Sequence, residues 1–210
     1  MIDNINSIFK NYTSYINGWE NYKRASVTIP LVQKDNNIFI LFEVRSKTLR
    51  YQPNEICFPG GKIENDETPI VTAIRETSEE LGINESNINV ISSLDIFISP
   101  FNILIHPFLI ELNNIASINT NAEEVEKIFL VPLDYLLKTE PLAFTNSINM
   151  IPHNDFPYDL IPNKKQYKFN TGSYEVLFYN YDGYVIWGLT ARILYNFISV
   201  LKAKNYQIPW

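Results

Sequence analysis

Strand-like and helical segments alternate along this chain of 210 residues, which predicts an α/β fold. Three observations carry that expectation. Ser26 to Val32 and Ile38 to Arg45 read as strands, joined by Lys34-Asp35-Asn36-Asn37, where Asn tolerates positive φ. Residues 68–82 carry helix start and stop signals: Thr68 as N-cap, Pro69 at the first helical position and Gly82 as the terminator. Gly188 to Lys204 reads as a closing helix. The length suits one domain over residues 1–210 with a sizeable core.

The remaining elements follow in order. Ile5, Ile8, Phe9, Tyr12, Tyr15, Ile16 and Trp19 stand at helical spacing, so Asn4 to Trp19 is expected as an N-terminal helix. Val90 to Phe97 and Ile103 to Leu112 look like further strands, and Val125 to Val131 like a short one. Pro132 then precedes a helical turn at Leu133 to Leu137. Asn146 to Lys168 holds Pro152, Pro157 and Pro162 and is expected as loop; Tyr174 to Tyr179 alternates as a strand. Neither an internal repeat nor a linker interrupts this order.

The helix at 68–82 carries the chemistry. Glu76, Glu79 and Glu80 stand at i, i+3 and i+4 and so share one face. Ile70, Ala73, Ile74, Thr77 and Leu81 form an apolar stripe centred about 120° away. Like charges that close repel unless a cation with oxygen ligands sits among them, and Mg²⁺ or Mn²⁺ suits such ligands. A solvated acidic face is the ordinary meaning of three such glutamates. It does not account for the preceding Phe58-Pro59-Gly60-Gly61 or for Glu67.

The segment resembles the Nudix box, G-x5-E-x7-R-E-U-x-E-E-x-G-U with U a bulky aliphatic. Gly61, Glu67, Arg75, Glu76, Glu79, Glu80, Gly82 and Ile83 match in register. Thr77 departs at the first U position; it is expected to face the core with its hydroxyl bonded back to a main-chain carbonyl. The resemblance implies the Nudix fold, a mixed β-sheet sandwiched between α-helices. It also implies metal-dependent hydrolysis of a diphosphate, with Mg²⁺ or Mn²⁺ held by Glu76, Glu79 and Glu80, and Arg75 and Glu67 as a pair tying loop to helix. Gly61 and Gly82 are structural positions of the same box.

A second stretch is similar to the extra motif of coenzyme A diphosphatases, L-L-T-x-R-S-x3-R-x3-G-x3-F-P-G-G. Leu41, Arg45, Ser46, Arg50, Phe58, Pro59, Gly60 and Gly61 match, whereas Phe42, Glu43 and Asn54 replace Leu, Thr and Gly. Glu43 adds negative charge near a site for an anionic substrate. Trp187-Gly188-Leu189-Thr190-Ala191-Arg192-Ile193-Leu194 is a further echo of that branch. The branch implies cleavage of coenzyme A, or its derivatives, to 3′,5′-ADP and 4′-phosphopantetheine. ADP-ribose, a dinucleotide or a nucleoside triphosphate is the alternative substrate, and a silent nucleotide sensor a third reading.

Apart from the resemblance, Arg45, Lys47 and Arg50 group three cations within six residues of an acidic chain, with Ser46 adding a hydroxyl. Such a cluster either grips phosphate or forms a solvated loop balancing the acidic helix. Gly60 and Gly61 allow close approach of the backbone to a ligand. Glu124, in Asn121-Ala122-Glu123-Glu124-Val125-Glu126, is the candidate general base, an exposed loop acid being the plainer alternative. His106 and His153 are expected to be structural or solvated.

Composition narrows the remaining classes. Hydrophobic residues at 46% and charged residues at 19% are globular usage, which argues against disorder. A net charge of −6 speaks against a general nucleic-acid binder. With Cys57 as the single cysteine, no internal disulfide can form. The start lacks a basic head followed by an apolar run, and no stretch nears the roughly 18 residues of a membrane span. A soluble cytoplasmic enzyme with a small-molecule diphosphate substrate is expected; its oligomeric state is not readable.

Overall fold

The computed structural model describes residues 2–64 and 66–206. In chain order the elements are α1 (Ile2–Phe9), β1 (Lys23–Lys34), β2 (Asn37–Arg45), β3 (Ile56–Cys57), β4 (Gly60–Lys62), α2 (Pro69–Leu81), β5 (Ile88–Ser93), β6 (Phe97–Ser99), β7 (Ile103–Leu112), β8 (Val125–Pro132), α3 (Leu133–Lys138), β9 (Leu142–Asn149), β10 (Thr171–Tyr181), β11 (Tyr184–Trp187) and α4 (Gly188–Ala203). Eight strands form one mixed sheet with the central order β3-β2-β1-β7-β5; β4 pairs with β1, β6 with β7 and β8 with β2. The β1–β7 pair is parallel, and the β1–β2 hairpin is antiparallel. Its turn places Asp35 and Asn36 at φ 49° and 59°, as turn chemistry demands. The strands β9, β10 and β11 make a separate antiparallel meander.

Alternation along β2 divides the core in two. Ile40, Phe42 and Val44 join a cluster with Leu136 of α3, Leu177 and Tyr179 of β10, and Leu194 and Phe197 of α4. Leu41 points the other way, into a cluster with Leu81, Ile83, Ile88 and Ile110 beneath α2. The mixed sheet is therefore covered by α2 on one face and by α3, α4 and the meander on the other. Glu43, two residues beyond Leu41, falls on the α2 face.

Four local expectations are corrected. The N-terminal helix ends at Phe9 rather than Trp19, and none of its residues is buried. Without a packed face a short helix does not propagate, least of all through Thr13 and Ser14. The strand expected over Val90 to Phe97 is two strands, β5 and β6, with an irregular register between Val90 and Ser92. The loop expected from Asn146 begins after Asn149, because β9 pairs with β10 from Leu142 to Asn149. Thr77 is fully buried as expected, yet its hydroxyl meets the Thr28 hydroxyl of β1 at 2.9 Å rather than a carbonyl of its own helix.

Candidate active site

Helix α2 builds one side of the site. It ends on Gly82 at φ 60°, the left-handed conformation of a helix stop, with the Gly82 N–H bonded to the Ser78 carbonyl. Thr68 takes the extended N-cap backbone, but its hydroxyl makes no capping bond. Arg75 grips Glu67 bidentately, Nε to Oε1 at 2.8 Å and Nη2 to Oε2 at 3.0 Å. Thr72 donates a third bond to the same carboxylate at 2.8 Å. These donors, Arg75 foremost, lower the Glu67 pKa to about 2. The other arm of Arg75 reaches Glu76 at 2.9 Å and Glu79 at 3.0 Å.

Glu80 is almost wholly buried, and its Oε2 accepts the Gly60 N–H at 2.8 Å. Burial pushes its carboxyl up to about 8; the Gly60 bond opposes the shift, and the charges of Glu76 and Glu124 add to it. Glu76 is half-buried and also raised, by burial first and with Arg75 opposing. A Cβ at residue 61 would meet the Glu76 carboxylate, which would have to swing aside; glycine lets loop and carboxylate lie together as they stand. Glu79 is exposed. Glu124 is exposed too, but its loop is fastened to the site. Its carbonyl accepts the Ser46 N–H at 2.8 Å, and the Asn121 N–H bonds the Glu80 carbonyl at 2.9 Å.

As the side chains stand, no group of three or more His, Cys, Asp or Glu among the described residues is arranged to hold a metal ion. Arg75 draws Glu76 and Glu79 toward itself, and Glu80 faces Gly60. The donor set is nevertheless carboxylate oxygen throughout, which fits a hard divalent cation. The buried Oε1 of Glu43 lacks any partner beside them. Burial raises the Glu43 carboxyl, and the charge of Glu80 raises it further. Glu76, Glu79 and Glu80 could hold Mg²⁺ or Mn²⁺ once Glu76 and Glu79 rotate from Arg75.

The opposite side is a cavity of about 530 Å³ between the mixed sheet and the meander. Arg45, Phe58, Gly60, Phe101, Tyr174 and Trp187 are among its walls. Arg45 has a buried Nε with no partner and a long 3.5 Å bond from Nη2 to the Tyr51 carbonyl, so most of its donors are unused. The other cations of the cluster lie elsewhere: Lys47 pairs with Glu126 at 3.6 Å, and Arg50 lies over the Tyr51 ring. Ser46 is buried, with its hydroxyl on Thr48 Oγ1 at 2.9 Å. His106 is buried on β7, and His153 is exposed beside Asp155; neither lines the cavity.

In the sequence Glu43 stands out as a negative charge near an anion site, yet its two-residue offset from Leu41 signals burial against α2. Phe101 and Tyr174 carry no local mark of their place as cavity walls. Nothing in the strand pattern of 174–179 says that this strand folds back over the sheet.

Comparison with known proteins bears on this arrangement. The NUDIX domain model matches residues 22–152. The peroxisomal coenzyme A diphosphatase NUDT7 of Mus musculus is 37% identical over 117 residues, 54% of this chain and 49% of that protein. This chain thus spans about half the length of the mouse relative. The mitochondrial coenzyme A diphosphatase NUDT8 of Homo sapiens is 29% identical over 187 residues, 87% of this chain and 71% of that protein. Among solved structures, a MutT/nudix family protein from Enterococcus faecalis superposes with a TM-score of 0.51 at 14% identity, over 96% of this chain and 70% of that one. That likeness speaks for the fold.

Proposed function

We propose an activity on the footing that this chain belongs to the Nudix family: it hydrolyses the diphosphate bond of coenzyme A or a coenzyme A derivative, giving 3′,5′-ADP and 4′-phosphopantetheine. One observation carries the proposal. Gly60 stands between the two halves of the site, its N–H on the Glu80 carboxylate while its backbone walls the cavity beside Arg45. A diphosphate in that cavity lies against both a carboxylate cluster and a guanidinium.

Each residue then has a role in the proposal. Glu80, Glu76 and Glu79 would hold the cation, which when bound would supply positive charge to the diphosphate and acidify an attacking water. Arg45 binds a phosphoryl oxygen and orients the diphosphate, since positioning and electrostatics provide most of the rate in phosphoryl chemistry. Glu124, whose charge acts on Glu76 and Glu80, accepts the proton of the attacking water. Gly60 and Gly61 bring the backbone close, and Arg75 with Glu67 keeps loop and helix in register. Ser46 and Arg50 lend secondary support to the phosphate end. The coenzyme A branch is supported by the match from Arg45 to Gly61 and by the relatives named for that activity. The replacements at Glu43 and Asn54 keep ADP-ribose as the second substrate to be tried.

No helix among the described residues is long and apolar enough to cross a membrane. A cytoplasmic setting is part of the same proposal; the two relatives are peroxisomal and mitochondrial by name, and cell fractionation decides the matter.

The test is incubation with coenzyme A and either Mg²⁺ or Mn²⁺, with products identified by mass. The expected result is the two named fragments, absent in chelator. In Glu80→Gln, the rate falls at least about 100-fold, since losing a mere partner of a metal ligand costs about 10–100-fold. Intact coenzyme A after incubation with either metal would sink the proposal. Near-normal turnover of Glu80→Gln at saturating metal would remove Glu80 from the site.

A further inference from the structure

We propose that Glu43 supplies a fourth carboxylate to the cation site, from the strand side, given the cation site proposed for Glu76, Glu79 and Glu80, on which this rests. Alternation along β2 puts Glu43 on the face covered by α2, the face of Leu41. Its residue is 1% exposed, its Oε1 has no partner, and Oε2 has only the Cys57 thiol at 4.0 Å. A carboxylate in a closed interior is ordinarily matched by donors that satisfy its lone pairs. Here the surrounding groups do not match it.

The groups facing Glu43 come from four elements. Glu80 approaches from α2, Glu124 from the loop before β8, Cys57 from the adjacent β3, and Arg45 from β2 itself. Glu43 and Glu80 thus draw on one guanidinium, which also walls the cavity, while Glu124 reaches solvent. A proton held between Glu43 and Glu80 would neutralise one acid and leave the other to Arg45 and the Gly60 N–H, with the buried Glu43 Oε1 still without a donor. A divalent cation answers both acids and that oxygen, and its preferred ligands are oxygens of this type. The coenzyme A diphosphatase motif carries a neutral threonine at this position, so the strand-side charge is a property of this chain.

Mn²⁺ binding to the full chain without substrate, followed by electron paramagnetic resonance of the free ion, tests the proposal. Glu43→Gln keeps the shape of a protonated acid and removes only the ability to carry charge; Glu43→Thr installs the motif residue. Both are expected to weaken Mn²⁺ binding by roughly tenfold or more, in line with the loss of a group that holds or supports a metal. In chelator, Glu43→Gln should melt at or above the wild-type temperature, because it deletes an unmatched buried charge. Its melting temperature should then rise less than that of the wild type when Mn²⁺ is added. Unchanged Mn²⁺ affinity in either folded variant overturns the role of Glu43 and leaves the cation site standing. Wild-type protein that binds no Mn²⁺ overturns both.

Discussion

At the residue scale, the buried acids make stability depend on pH in an unusual direction. The folded pKa of Glu80 is about 8, against an ordinary 4.5, because burial outweighs the Gly60 bond. Between those pH values the folded chain holds a proton that the unfolded chain has released. In chelator, the resulting stabilisation is complete below about pH 4.5 and is lost as pH rises toward about 8. Melting temperatures should therefore fall across that window, and Glu80→Gln, which cannot ionise, should make the fall shallower, with Glu43 and Glu76, also raised by burial, keeping part of it; a wild-type curve already flat would contradict the assignment. Arg45 makes a second prediction. Its Nε has no partner in the fold, so Arg45→Ala should lower kcat/KM by roughly ten- to hundredfold, the worth of one charge-assisted contact, beyond any fall in Tm from the loss of its charge beside Glu43 and Glu80. A large fall in Tm at unchanged kcat/KM would make it a structural residue. The shared helix face of Glu76, Glu79 and Glu80 and the stop at Gly82 were legible in the chain, because both follow from local spacing and backbone. For Glu43 two signals compete: its two-residue offset from Leu41 points to burial, while a charge in a strand ordinarily points to solvent, and the first prevails.

At the element scale, α2 was the most legible part of the chain and its packing the least. Pro69 and Gly82 mark both ends, because each acts through its own backbone and needs no partner to be recognised. Thr77 shows the limit: its burial followed from the helical period, but its partner on β1 lies 49 residues away and no local rule names it. That hydroxyl pair is fully buried between helix and sheet, so Thr77→Val leaves Thr28 with only a 3.5 Å contact to the Pro59 carbonyl. The expected loss is about 1–3 kcal/mol of unfolding free energy, read from denaturant melts, with metal affinity kept. No loss would mean that the pair adds nothing to helix docking. The β9 strand escaped notice for the opposite reason. Its side chains are exposed nearly throughout, so its pairing with β10 leaves no mark of alternating burial.

At the scale of the whole molecule, the order of strands and helices pointed to an α/β fold, and the resemblance of the box implied a mixed sheet between helical layers. Neither announced that three further strands fold over the sheet and close a cavity with α4. That closure depends on contacts between residues more than a hundred positions apart, such as the Thr190 hydroxyl on the Ile56 carbonyl at 3.2 Å. On the proposed reading substrate choice resides in this assembled space, where Arg45 and Gly60 come from the mixed sheet and its loop while Tyr174 and Trp187 come from the meander. Coenzyme A and dephospho-coenzyme A differ only in the 3′-phosphate, and one charge-assisted contact to it is worth about 1.5–3 kcal/mol, or roughly ten- to hundredfold. ADP-ribose lacks both that phosphate and the pantetheine arm. The most direct measurement is kcat/KM for these three compounds under identical Mg²⁺. The order coenzyme A, then dephospho-coenzyme A, then ADP-ribose is predicted, with the first two roughly ten- to hundredfold apart; equal values for coenzyme A and ADP-ribose would contradict the coenzyme A assignment and leave a Nudix hydrolase of broader substrate range.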